Sequence, residues 1–151
     1  MGRDDLLQAF PRLAEKGFEI TSPIDPKYNC IAYAAGDMGN WWWPQPGFPG
    51  KSLGGYYWPT GLSVPVTLAS FEQAYATLGY ARCESGSLEF GTEKIAIYSD
   101  GGGLPTHAAR QLIDGTWVSK LGGGFDIVHN DVEGVCGSLY GQLAFFMGRP
   151  L

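Results

Sequence analysis

The sequence has few charged residues and no long apolar run. Charged residues make up 17% of the 151 residues. The chain has ten lysines and arginines, scattered along its length, and fifteen acidic residues, which gives a net charge of −5. A protein that binds a phosphate backbone needs a basic patch, so we expect no nucleic acid partner. No stretch approaches the ~20 apolar residues of a membrane span. Asp4 and Asp5 stand where a signal peptide has its apolar core, so we expect a cytoplasmic protein without a membrane partner.

Cysteine and histidine are also scarce. The three cysteines, Cys30, Cys83 and Cys136, lie far apart and form no CxxC pair. An odd, dispersed set is a poor framework for disulfides or for a zinc site, so we expect reduced thiols and no cofactor. The two histidines are His107 and His129. Any imidazole chemistry must therefore use one of them.

The order of the predicted elements indicates an α+β fold. Helical spacing predicts helices at 4–17, from Asn29 or Cys30 to about Gly39, and at 67–80, with Pro11 able to split or kink the first. Strands are predicted at 93–100, 106–112 and 116–120, with a strand or helix at 125–129 and at 140–149. This order predicts one domain over 1–151, in which N-terminal helices and a buried cysteine-bearing helix pack on an antiparallel sheet. A long loop rich in aromatics, proline and glycine occupies 40–65.

The stretch YNCIAYAAG places Cys30 at the expected start of a buried helix. Asn29 is a good N-cap residue, and apolar residues follow on all sides of the predicted helix. Unpaired N–H groups at a helix start lower the pKa of a thiol, although an isolated cysteine in an apolar helix is usually inert core. With His107 as the base, Cys30 is a candidate nucleophile. Its backbone N–H, with the side chain of Asn29 or Tyr28, can form an oxyanion hole.

The hairpin that follows His107 suggests a third catalytic group. If the glycine that ends its turn forms a bulge, Ala109 lies opposite Ser119, and Ser119 becomes a diagonal neighbour of His107. A strict two-residue turn would shift the register by one residue and turn Ser119 to the other face. Asp126 and Asn130 lie farther along the chain and compete for the same role.

A cysteine at a helix start, followed much later by a histidine on a strand, resembles the papain-like cysteine peptidase and amidase superfamily, which includes small NlpC-type and CHAP-type members. HAARQLIDGTWVSKLG is similar to the histidine strand, turn and next strand of that superfamily. YNCIAYAAG with HAARQL…SKLG also resembles an uncharacterised bacterial domain family. The resemblance implies a papain-like fold and a thiol hydrolase or acyl transferase. Its substrate would be a peptide or another amide or acyl compound, with Cys30 as nucleophile and His107 as base.

The aromatic loop supports an alternative without catalysis. Four of the five tryptophans lie between residues 40 and 65. Exposed rings can stack on sugars or clamp peptides, and the alternative is that they fold back over a small core. The candidate cleft residues are Trp41, Trp42, Trp43, Tyr57 and Trp58. A non-catalytic domain on the same scaffold would use them to bind a peptide, a glycan or a partner protein.

Overall fold

A seven-stranded antiparallel sheet forms the centre of the protein in the computed structural model, which describes residues 3–25, 27–44, 55–59, 61, 65–121 and 125–151. The sheet has the strand order β1-β8-β7-β6-β5-β9-β4, and a separate parallel pair joins β2 to β3. The strands are β1 (Phe18–Ser22), β2 (Asn40–Trp42), β3 (Gly55–Tyr57), β4 (Ala81–Cys83), β5 (Thr92–Ser99), β6 (Pro105–Gln111), β7 (Trp117–Lys120), β8 (Asp126–His129) and β9 (Gln142–Pro150). The predicted α+β fold with a mainly antiparallel sheet is confirmed.

Four α-helices and one 3₁₀ helix accompany the sheet among the described residues. They are α1 (Arg3–Ala9), α2 (Arg12–Lys16), α3 (Cys30–Ala34), α4 (Leu68–Ala76) and the 3₁₀ helix Val132–Val135. Pro11 separates α1 from α2, as predicted, because proline has no N–H to continue the first helix. The predicted helix from residue 30 to about Gly39 is wrong in length: α3 ends at its C-cap Ala35, and Gly36 takes a positive φ of 87°. Within the described part of the chain no helix has the length and apolar character that a membrane crossing requires.

Helices cover the sheet on both of its faces. Along β5, Ile95 and Ile97 pack into one core with α3 and α4, whereas Ala96 and Tyr98 pack into a second core with α1 and α2. We call these the α3 face and the α1 face. The sequence did not predict which helices lie on which face, and the strand alternation gives each group of helices its own apolar surface.

The β6–β7 hairpin has the register predicted from its glycine bulge. Gly115 has a φ of +89°, its N–H donates to the Leu112 carbonyl at 3.0 Å, and the Leu112 N–H donates to the Thr116 carbonyl at 2.7 Å. Ala109 therefore lies opposite Ser119. The alternative two-residue turn, with its shifted register, is excluded.

Short strands account for the elements that the sequence did not predict. β1 and β4 form the two edges of the sheet, and most residues of both are exposed. β2 and β3 lie within the predicted loop at 40–65. The remainder of that loop, at 45–54, 60 and 62–64, lies outside the described residues.

Gly141 is a position where the fold requires glycine. Its φ is +74°, and an added Cβ would collide with the Ser99 carbonyl oxygen and approach the Asp100 Cα to 2.8 Å. We expect Gly141→Ala to lower the free energy of unfolding by about 3 kcal/mol or more, since it adds a backbone clash to the cost of a left-handed conformation. Urea denaturation measures the change. Gly115→Ala is the matched control, because its φ is +89° but its nearest contact is an ordinary 3.8 Å, so it should cost only about 1 kcal/mol. Equal losses in the two variants would contradict this account.

Candidate active site and apolar groove

Cys30 begins α3 on the α3 face of the sheet. The Asn29 side chain caps the helix by accepting the Ala32 N–H at 3.0 Å, as predicted. The Cys30 residue is only 6% exposed, and its thiol lies against the backbone of Ala108 on β6. Burial raises the pKa of the Cys30 thiol to about 11, an effect larger than the opposing one of nearby backbone N–H groups. The thiol is therefore protonated at neutral pH.

His107 lies on the opposite face from Cys30. Ala108 packs into the same core as Cys30, and its neighbour Ala109 packs into the α1-face core. The His107 ring lies on the Ala109 side, stacked on Tyr140 with ring centroids 4.1 Å apart. The structure thus does not bring the predicted nucleophile and base together, because consecutive residues of a strand point to opposite faces of the sheet.

Ser119 and His129 complete a buried hydrogen-bond chain with His107. The Ser119 Oγ lies 2.9 Å from the His107 Nε2 and 2.7 Å from the His129 Nε2. The predicted contact between Ser119 and His107 is therefore present. His129 was not predicted as a member, although the alternation of β8 places it on the same face as Ile127, in the α1-face core.

The chain of hydrogen bonds determines the proton positions. The His129 Nδ1 lies 2.8 Å from the Asp131 carbonyl oxygen, which only accepts, so Nδ1 carries the proton. The His129 Nε2 then accepts from the Ser119 hydroxyl, and the Ser119 Oγ accepts from the His107 Nε2–H. The His107 Nδ1 is left without a proton, and no described residue hydrogen-bonds to it. Burial lowers the pKa of both histidines, that of His107 well below its usual value, so both rings are neutral.

A second buried polar cluster lies on the α3 face. The Tyr28 hydroxyl donates to the Asp126 Oδ2 at 2.6 Å, and the Lys120 Nζ lies 3.7 Å from the Asp126 Oδ1. The same Nζ stands 4.1 Å from the centre of the Tyr28 ring. Neither Lys120 Nζ nor Asp126 Oδ1 has a hydrogen-bond partner among the described residues, and burial lowers the pKa of Lys120. Asp126 therefore pairs with Lys120 and cannot orient His107, which lies across the sheet.

The two predicted oxyanion donors have other partners. The Asn29 Nδ2 donates to the Trp42 carbonyl at 2.8 Å, and its Oδ1 accepts the N–H groups of Ala32 and Trp42. The Tyr28 hydroxyl is directed to Asp126. Asn29 thus joins α3 to β2, and Tyr28 joins the segment before α3 to β8.

Three of the five predicted cleft aromatics, Trp42, Trp43 and Trp58, pack in the α3-face core. Trp41 and Trp42 are buried, and Trp43 and Trp58 both contact Phe71 of α4 at ring distances of 5.3 and 5.2 Å. Among these five rings, Tyr57 is the exposed one, at 42%. The rings therefore follow the interpretation in which the loop folds back as a cover.

An apolar groove lies at one end of the sheet, away from all of these residues. It is lined by 88–93, 110–113 and Leu151 and has a volume of about 690 Å³. We call it the apolar groove. Its apolar side chains are unusually accessible: Ile113 is 90% exposed, and Phe90 is fully exposed. The sequence signal for this groove was weak. Its signs were Leu88 and Phe90 in the stretch SLEFG and Ile113 in a hairpin turn, none of them within a predicted helix or strand.

The described residues contain no group of three histidine, cysteine, aspartate or glutamate side chains that could hold a metal ion. The chain belongs to a family described as Domain of unknown function (DUF7689), whose model matches residues 19–148. No curated protein and no solved structure matches the chain.

The buried thiol predicts low reactivity for Cys30. In a Cys83→Ser, Cys136→Ser background, we expect native Cys30 to react with iodoacetamide at pH 8 about 100-fold more slowly than in urea, because a pKa of about 11 instead of 9.0 leaves far less thiolate. Mass spectrometry measures the labelling rate. His107→Gln should leave the native rate unchanged. Rapid labelling of Cys30 below pH 8 that is lost in His107→Gln would contradict this account, because it would show that the imidazole activates the thiol.

The neutral histidines predict a pH-dependent stability. Burial lowers the pKa of His107 and His129 in the folded protein, whereas in the unfolded chain it is about 6.5. Below that pH the unfolded chain therefore binds more protons than the folded one. The free energy of unfolding is highest above pH 6.5 and decreases as the pH falls. We expect the free energy of unfolding to drop by about 1.4 kcal/mol from His107 alone between pH 7.5 and 5.5 in urea titrations, with a further loss from His129. His129→Gln should reduce this slope. A flat profile over that window would show that the rings are not held neutral.

Proposed function

We propose that this protein is a non-catalytic binding domain that engages a partner protein through the apolar groove. The observation that carries the proposal is the group of accessible apolar side chains around one concave surface, namely Leu88, Phe90, Ile113 and Leu151. Single exposed apolar residues are ordinary on a folded protein, whereas several around one groove are typical of an interaction site.

The wall of the groove is held in place from beneath. Lys94 is 1% exposed, and its Nζ donates to the carbonyls of Ser85 and Ser87 at 2.8 Å and to the Glu89 carboxylate at 2.7 Å. The Gln111 Nε2 donates to the Gly86 carbonyl at 2.7 Å. These bonds order the segment that carries Leu88 and Phe90 before any partner arrives, which reduces the entropy cost of binding.

Thiol hydrolysis has less support from the same geometry. A papain-like arrangement agrees with a helix that begins at Cys30 and packs on an antiparallel sheet. It also requires an accessible thiol beside an imidazole, and here the thiol is buried and protonated with His107 across the sheet. The papain-like assignment and the hydrolase activity therefore remain the weaker proposal, tested by the Cys30 labelling above.

Selection from a random peptide library displayed on phage tests the groove. We expect peptides selected on the wild-type protein to lose at least tenfold in affinity for a Phe90→Ser, Ile113→Ser variant, measured with synthetic peptides by fluorescence polarisation, because the variant removes the apolar contact area. Met38→Ser, Leu104→Ser is the matched control, since it removes two exposed apolar side chains, at 54% and 51%, outside the groove.

The outcomes are separable because all four side chains are exposed and their replacement should change stability little. Loss in the groove variant with no loss in the control supports the proposal. Selected peptides that bind both variants as well as wild type, or a repeated failure to select any peptide, would overturn it.

A further inference from the structure

We infer that the segment bound in the apolar groove carries a carboxylate beside its apolar side chains, and that Arg110 receives that carboxylate. This inference rests on the proposed function, because it names the chemistry of the partner for the same groove. The feature behind it is a single uncompensated cation among the side chains that line the groove.

Arg110 lies near the end of β6 and lines the groove in a partly buried position. Its side chain follows that of Ala108 to the α3 face, whereas the segment that carries Leu88 and Phe90 is bonded to Gln111 on the α1 face. The groove therefore spans the end of the sheet, with lining residues from both faces.

The Arg110 Nε is buried without a hydrogen-bond partner, and the guanidinium forms no hydrogen bond or ion pair with any described residue. A planar guanidinium presents several N–H donors in a fork that matches the two oxygens of a carboxylate. Donors left open beside apolar surface are costly unless an acceptor arrives.

The other charged side chains that line the groove, both acidic, are already paired. Glu89 accepts from Lys94 at 2.7 Å, and Glu93 accepts from the Arg149 Nε at 2.8 Å. These two carboxylates therefore do not compensate Arg110, and their own cations are engaged. Arg110 is therefore the unpaired charged side chain among the described residues that line the groove, although the whole chain has a net charge of −5.

The shape of the groove favours a peptide segment over an enclosed small molecule. A small-molecule site normally covers most of its ligand, and its lining side chains are then largely inaccessible. Here Phe90 and Ile113 stand almost free of the protein surface. Such projecting side chains can pack between the side chains of an extended or helical segment, with arginine and aromatic residues as the usual anchors of an interface.

The test uses the peptides selected on the wild-type protein. We expect them to share apolar residues and at least one Asp or Glu, and we expect replacement of that acid by its amide to weaken binding tenfold or more. Arg110→Gln should weaken binding of the acidic peptide by the same factor and leave its amide form unaffected, a double-mutant cycle that isolates the pair. Arg110→Lys should fall between the two, because lysine keeps the charge and loses the fork. Arg12→Gln is the matched control, since Arg12 makes only a 3.9 Å exposed ion pair with Glu133, outside the groove.

Each outcome separates this inference from the proposed function. Binding that depends on Phe90 and Ile113 but not on Arg110 or on the acid would overturn the carboxylate and leave the binding function intact. Selected peptides that ignore the groove altogether would overturn both. Self-association of the wild-type protein that Phe90→Ser, Ile113→Ser abolishes, without any peptide selected, would assign the groove to a second copy and also overturn the inference.

Discussion

The alternation of side chains along a strand is the constraint on which the rest of this structure depends. The sheet is covered on both faces, so each central strand must supply apolar or satisfied side chains to two separate cores. On β6 this rule directs Ala108 to the helix of Cys30 and His107 to the helices on the other side. The register of β6 therefore decides on which face the imidazole lies, and here the His107 imidazole lies on the face opposite the Cys30 thiol.

The buried polar groups follow from the same covering of both faces. Lys94, on the α1 face, has three hydrogen bonds and orders the segment at 85–89. Lys120, on the α3 face, has an aspartate at 3.7 Å and a tyrosine ring at 4.1 Å, and it forms no hydrogen bond within the part of the chain that the structure describes. Removing one partner of a buried pair leaves an uncompensated charge, so such clusters hold neighbouring elements in position. In this protein the fully satisfied lysine supports the groove, and the other joins Tyr28 to β8.

Local patterns predicted those features that depend on neighbouring residues alone. Pro11 divided the first helix, Asn29 capped α3, and Gly115 determined the hairpin register that places Ser119 beside His107. The short edge strands escaped prediction, since three to five residues with exposed side chains give no alternation to detect. The apolar groove was not predicted either, because its lining comes from segments that are separated in the sequence, at 88–93, 110–113 and Leu151.

The sequence by itself determined the α+β fold class and the helix cap before Cys30, and it predicted the contact between His107 and Ser119 for one of two possible hairpin registers. Each depends on backbone preferences or on a turn that a few adjacent residues set. Only the tertiary structure decided which helices cover which face, that Cys30 is buried across the sheet from His107, and that Arg110 pairs with no described residue beside exposed apolar side chains. Those outcomes depend on how distant segments share two apolar surfaces, and no local pattern carries that information.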